Sequence, residues 1–279
     1  MIQVKNLSFR YKSSLPLILD DLSFSIERGS ILSILGKNGV GKTTFIKCLT
    51  SEIKNYSGTI LVDSQDVRQL SISELSKSIA VVASNNPCYQ NLCVADFLVT
   101  GFANKLTALK TPRKNEYEKA CSVLDELGHV DLLNRSIFEL SSGELQIVKI
   151  ARAILQNPKV IVFDEPTAML DPAGRKDVME TAHRLNKENG ITIILITHYM
   201  DEAATADKVY VIDDGKIVLS GVPKEVFSQV DKMKGFGLYL LILVCLLAGV
   251  SYVVSQTQKT ESISYSDVYS YFEQGDVDR

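Results

Sequence analysis

The chain of 279 residues lacks a charge excess of either sign, with thirty Lys and Arg against thirty-three Asp and Glu. A nucleic-acid partner calls for a basic stripe, so that class of function is set aside. Cysteine is sparse and odd in number, five in all with no Cys-x-x-Cys. That points to reduced cytosolic thiols and away from a structural metal site. The sequence carries no internal repeat and no low-complexity tract, and no N-terminal secretory signal is expected. What is present, 46% hydrophobic and 23% charged residues, suits a globular protein. About 220 residues are enough to bury one sizeable α/β core.

Gly36-Lys37-Asn38-Gly39-Val40-Gly41-Lys42-Thr43 follows the apolar run Ile31–Leu35 and opens the helical pattern Thr44-Phe45-Ile46-Lys47. Strand, Gly-rich loop and helix in that order form the context of a phosphate-binding P-loop. The glycines let backbone N–H groups point inward, and the helix start adds a favourable dipole. Lys42 is predicted to reach the β- and γ-phosphates, and the Thr43 hydroxyl to sit on Mg²⁺. The chain is therefore expected to bind a nucleoside triphosphate.

Val160-Ile161-Val162-Phe163 is a second apolar run and ends in Asp164-Glu165. It reads as a parallel strand buried on both faces, whose C-terminal end is where α/β folds place ligands. Asp164 suits a Mg²⁺-holding carboxylate, and Glu165 is placed to polarise water. A third run, Thr192–Thr197, leads into His198, a candidate γ-phosphate sensor at a third strand end. His129 and His183 have no such setting. His183, in the helical stretch Arg175–Glu188, is expected to be solvated. From about Asn85 to Phe138 the pattern is helical, clearest at Glu116–Leu127, and Val209–Leu219 reads as a hairpin turning at Asp-Gly. Ser141, Ser142, Gly143 and Glu144 precede the helical pattern Leu145–Leu155, which Asn157-Pro158 ends. Such a start reads first as an N-cap, yet it also offers free N–H groups as a second anion site. Two phosphate-binding helix starts and one P-loop suggest a dimer in which each copy completes the other's site.

This ordered set resembles the ATP-binding cassette (ABC) family of transport ATPases, from about Met1 to about Val230. The resemblance implies an α/β P-loop NTPase core with an N-terminal antiparallel β subdomain and an inserted helical subdomain at about 85–145. It implies ATP and Mg²⁺ as cofactors. Tyr11 resembles the adenine-stacking aromatic. Gly36, Asn38, Gly39, Gly41, Lys42, Thr43 and Thr44 match the Walker A loop, and Thr43 and Asp164 the metal ligands. Ser141, Ser142, Gly143 and Glu144 resemble the signature motif, with Ser142 in place of its usual first glycine. Glu165 matches the catalytic carboxylate, Asp171 the D-loop and His198 the switch histidine. Ser84 stands where the family has a glutamine that links the metal site to the membrane subunit; Gln90 is a less favoured substitute.

Residues 235–258 carry no charge, and 235–254 is long enough to cross a bilayer core as a helix. After a short linker at 231–234, one C-terminal transmembrane helix is predicted. Lys224, Lys232 and Lys234 before it, against Lys259 alone close behind, put the ATPase in the cytosol and 255–279 outside. From Met233 the tail resembles the N-terminus of the membrane-anchored AAA zinc metalloprotease family, without any His-Glu-x-x-His. The front of the cassette is similar to iron–siderophore and cobalamin importers, and Gly190–Ala203 to energy-coupling-factor vitamin and metal importers. The expected function is an ATPase subunit, a homodimer or paired with a paralogue. It would drive a polytopic permease as an importer at the bacterial inner membrane. The alternative is a membrane-anchored, ATP-binding regulator or scaffold uncoupled from transport, a fusion or mosaic chain.

Overall fold

In the computed structural model the chain divides into two compact units, Met1–Ser228 and Gln229–Arg279. The structure describes residues 1–83, 92–103 and 112–229. Ser84, Gln90, the linker at 231–234, the spanning helix at 235–254 and the tail at 255–279 lie outside the described residues. Among the described residues, no helix is long and apolar enough to cross a membrane.

The first unit starts with β1 (Ile2–Phe9) and β2 (Leu19–Ile26), which pair antiparallel with Ile2 opposite Ile26. Their alternating apolar residues put one face into the core and leave the other to solvent. After β3 (Ile31–Leu35) and α1 (Lys42–Leu49) come β4 (Ser57–Val62) and β5 (Gln65–Asp66). These complete a four-stranded sheet in the order β2-β1-β4-β5.

The chain continues through α2 (Ile72–Ser76), β6 (Ile79–Ala83), α3 (Val94–Val99), α4 (Lys114–Glu126), α5 (Ser142–Leu155) and β7 (Val160–Asp164). It ends its described course with α6 (Pro172–Asn189), β8 (Thr192–Thr197), α7 (Met200–Ala203), β9 (Lys208–Asp213), β10 (Lys216–Gly221) and α8 (Pro223–Ser228). A six-stranded sheet runs β10-β9-β3-β8-β7-β6, parallel except where β10 returns antiparallel beside β9. Asp214 (φ 45) and Gly215 (φ 75) make the expected Asp-Gly turn between these last two strands.

The central strands are mostly apolar because both faces are covered. Val160 and Val162 of β7 join Ile194 and Ile196 of β8 in a core shared with Phe45 and Leu49 of α1 and with the antiparallel sheet. Ile161, Phe163, Ile193 and Leu195 face the other way, onto Ile147 and Ile150 of α5 and Val178, Ala182 and Leu185 of α6. A third cluster joins Phe97 and Leu98 of α3, Ala120 and Leu124 of α4, and Val148, Ala151 and Leu155 of α5. The helical pattern expected up to Phe138 gives way earlier. Between α4 and α5 the chain makes two three-residue 3₁₀ turns, Val130–Leu132 and Ile137–Glu139, the second capped by Ser136 and Glu139. Residues 130–139 are too short and too rich in cap-forming side chains to propagate a helix.

Candidate active site

Pairing in the parallel sheet aligns three strand ends. Leu35 at the end of β3 lies opposite Thr197 of β8, and Ile196 lies opposite Asp164 of β7. The loop after β3, the acid pair after β7 and His198 after β8 therefore emerge side by side. A cavity of about 250 Å³ opens there, lined by Asn38, Gly39, Gly41, Lys42, Thr43, Thr44, Asp164 and Glu165. That volume suits a chain of phosphates.

Gly41 begins α1 at φ 106, and a Cβ there would stand 2.7 Å from the Ile18 carbonyl oxygen. A side chain is excluded by space and by backbone conformation alike. Gly39, at φ 87, would meet nothing within 4 Å, so this glycine keeps the cradle open. Lys42 is 5% exposed. Its Nζ donates to the carbonyls of Gly36 (2.7 Å) and Lys37 (2.9 Å) and pairs with Glu165 Oε1 at 3.3 Å. Thr43 donates its hydroxyl to Asp164. Burial and the neighbouring Glu165 carboxylate push the Asp164 carboxyl up, against the opposing pull of Lys42 and Thr43.

Glu165 sits at φ 52, its N–H donating to the Ile196 carbonyl at 2.9 Å. Holding a glutamate in the left-handed region costs on the order of 1 kcal/mol or more and is sustained by the surrounding structure. Its carboxylate lines the cavity beside Lys42. Nδ1 of His198 lies 3.8 Å from Glu165 Oε1 and has no hydrogen-bond partner among the described residues. The imidazole packs against Tyr199 with the rings tilted at 36°, centroids 4.1 Å apart. Tyr11 is half-exposed, edge-on to Phe9, with its hydroxyl 3.3 Å from Thr44 Oγ1. The aromatic is thereby tied to α1.

The other sequence-derived residues gather elsewhere. Ser141 caps α5, accepting from the Glu144 N–H at 3.2 Å, while Glu144 Oε2 accepts from the Ser141 N–H at 2.7 Å. This reciprocal capping box holds the Glu144 carboxyl below the usual range, with Arg135 adding a 2.9 Å pair. Ser142 is exposed. A Cβ on Gly143 would come within 3.8 Å of the Gly174 Cα, so the start of α5 lies against the start of α6. Asp171 caps α6, its Oδ1 accepting from the Gly174 N–H at 3.1 Å. Ser141, Ser142, Gly143, Glu144 and Asp171 do not line the Lys42 cavity.

His183 departs from expectation. It is half-buried on α6 rather than solvated, and burial pushes its imidazole down, with Lys187 adding to the shift. Sequence reasoning also missed Glu202, which is 4% exposed and bonded to Thr167, Thr197 and Arg175. In the sequence it is one half of an ordinary Asp-Glu pair, and only the fold buries it.

The residues present fit Mg·ATP: a lysine, a hydroxyl paired with a carboxylate, and an open glycine loop meet on one cavity. The family profile described as ABC transporter matches residues 19–168. The energy-coupling factor transporter ATP-binding protein EcfA1 of Clostridioides difficile (strain 630) is 39% identical over 240 residues, 85% of this chain and 86% of that protein. Among solved structures, cbiO1 from Clostridium perfringens, part of the ABC transporter complex cbiONQ, is 32% identical with a TM-score of 0.72. That match covers 88% of this chain and 98% of that one. The dimeric post-hydrolysis state of the ATP-binding cassette MJ0796 bound to ADP and Pi is 25% identical, with a TM-score of 0.69 over 80% of this chain and 99% of that one. Strand ends, cradle and acid pair agree with these likenesses: the chain belongs to the ABC transporter family and is an ATPase using ATP with Mg²⁺.

Proposed function

We propose that the chain is the ATP-hydrolysing subunit of an importer of the energy-coupling-factor kind, working as a pair with a second copy or a paralogue. The observation that carries this reading is the splitting of the site. Lys42, Thr43, Asp164 and Glu165 line one cavity, with His198 3.8 Å from Glu165, while the start of α5 lies apart from it with its N–H groups at Ser142 and Gly143 free to meet an anion. A second protomer supplies what the first lacks. The solute belongs among vitamins, metals, iron–siderophores and cobalamin, and the membrane partner is a polytopic component. The cassette works on the cytoplasmic face of a bacterial plasma membrane.

In this reading Lys42 exchanges its contact with Glu165 for phosphate oxygens, and Tyr11 stacks on the base. Thr43 and Asp164 would hold Mg²⁺, which would supply charge neutralisation at the phosphates. Glu165, released from Lys42, orients a water and takes its proton. His198, its Nδ1 buried beside Glu165, presents the exposed part of its ring to the γ-phosphate. Ser142 and Gly143 of the partner close over the same group, and Asp171 shapes the junction. Replacing Glu165 with Gln keeps the shape but removes the proton acceptor. Hydrolysis is expected to fall at least about a hundredfold while ATP stabilises the dimer, read by size-exclusion chromatography with ATP. Unchanged turnover in E165Q would refute the assignment.

We read residues 235–254 as a membrane anchor added to the cassette, similar to the start of a membrane protease yet carrying none of its chemistry. Its uncharged length, together with Ser84, also favours a second reading, an anchored ATP-binding scaffold. Co-purification with a polytopic membrane protein supports transport, and its absence at native expression supports the scaffold.

A further inference from the structure

A buried carboxylate stands behind the acid–imidazole pair. Glu202, on α7, is almost fully enclosed and receives three donors. Thr167 Oγ1 reaches Oε1 at 2.5 Å, Arg175 reaches the same oxygen at 3.0 Å, and Thr197 Oγ1 reaches Oε2 at 2.7 Å. Each donor belongs to a different part of the site. Thr167 is two residues past Glu165, in a turn where the Ala168 N–H donates to the Glu165 carbonyl at 3.1 Å. Thr197 immediately precedes His198, and its hydroxyl oxygen accepts from the Tyr199 N–H at 3.0 Å. Arg175 lies in the first turn of α6, its N–H bonded to the Asp171 carbonyl at 3.0 Å and its guanidinium 3.9 Å over the Tyr199 ring. Tyr199 in turn packs at a tilt against His198.

A buried carboxylate with all its donors in place is a rigid node, because releasing any one donor leaves an unpaired polar group in the interior. The two hydroxyl bonds brace the turn carrying Glu165 and the strand end carrying His198 from behind. The arginine extends the same node to the start of α6. The Glu165 N–H bond to the Ile196 carbonyl joins the two backbones. The side chains of Glu165 and His198, however, are 3.8 Å apart without a direct hydrogen bond, so no bond between the side chains fixes their spacing. Glu202 bonds to both segments from behind.

We propose that Glu202 is a positioning residue for ATP hydrolysis, setting the spacing of Glu165 and His198 through Thr167 and Thr197 and tying it to the first turn of α6 through Arg175. The proposal rests on the roles assigned above to Glu165 and His198. Glu202→Gln tests it with nearly unchanged volume. An amide oxygen can still face Arg175 and Thr167. The amide nitrogen must then donate to Thr197 Oγ1, reversing that bond and turning the hydroxyl hydrogen away beside His198.

In the full chain, E202Q is expected to lower kcat about tenfold or more and leave KM for ATP within about twofold. Thr197→Val, which removes the same bridge, is expected to act alike and decides the matter if E202Q does not fold, while Thr197→Ser restores turnover. In a His198→Ala background, under single-turnover conditions, E202Q is expected to add less than about a twofold loss, since the spacing it sets no longer matters. Turnover of E202Q within about twofold of the parent overturns the proposal. So does a loss carried by KM, or a full tenfold loss that persists without His198. If E165Q itself retains turnover, the assignment of Glu165 fails; if E165Q loses turnover and E202Q does not, only the brace fails.

Discussion

Two helices begin at places where an anion is expected, and they are built in opposite ways. The start of α1 is open. Its N-cap is a glycine that supplies no side-chain cap, its lysine is buried among carbonyls and a carboxylate, and space remains above Gly39. The start of α5 is closed on itself by Ser141, Glu144 and Arg135. An open start holds stored electrostatic demand that a ligand satisfies. A closed start has met most of its demand and contributes two N–H groups and a dipole. The first kind binds, and the second completes.

This contrast predicts unequal penalties. Lys42→Met removes the cation that lines the cradle, and ATP hydrolysis is expected to fall by about a hundredfold or more, measured as phosphate release. The same change leaves Glu165 without its 3.3 Å partner. A fall of less than tenfold would mean that the open start does not depend on charge.

Farther along α5, Lys149 is 7% exposed and donates to the Ala83 carbonyl at 3.1 Å. Burial, helped by Arg152, pushes its ammonium down to about 8. Because the folded value lies below that of the unfolded chain, both states are protonated below pH 8, and the folded state bears the full penalty. As pH rises from about 8 to about 10.5 the unfolded state binds more protons, and stability grows by about 1–3 kcal/mol from this group. Lys149→Met is expected to lack that rise, read as the difference between the two proteins in denaturant titrations across this range. Parallel profiles would mean that the buried ammonium is better solvated than its enclosure indicates.

Glu144→Ala opens the closed start. It removes half of the capping box and the Arg135 pair, and is expected to cost about 1 kcal/mol in a thermal melt, with turnover reduced severalfold through the partner's site. If opening this start cost as much turnover as losing Lys42, the two starts would be equivalent and the contrast would fail.

Much of the site was legible because it hangs on strands buried on both faces, which appear as plain apolar runs ending in the chemistry. Val160–Phe163 before Asp164, and Thr192–Thr197 before His198, announce both the strand and its payload. The capping pattern Ser141–Glu144 is equally local. Glu202 was hidden because a carboxylate beside Asp201 on a four-residue helix looks like a solvated turn. Its donors come from residues 167, 175 and 197, and only their assembly encloses it. His183 was misread for the same reason: a polar residue on a charged helix gives no sign of what packs beside it. Residues 130–139 were misread for a different one, since short 3₁₀ turns and a helix share their apolar spacing.

The alignment of β3, β8 and β7 has a consequence for how errors in folding would show themselves. Were β8 to pair one residue out of step, its side chains would exchange faces and His198 would move along the strand by about 3.3 Å. Both faces of β8 are buried and its two threonines already lie in the interior, so the exchange would set isoleucine and leucine against the opposite cores and carry the imidazole past the acid. A mispaired copy would therefore be inactive through the displaced His198 even with its apolar faces still covered.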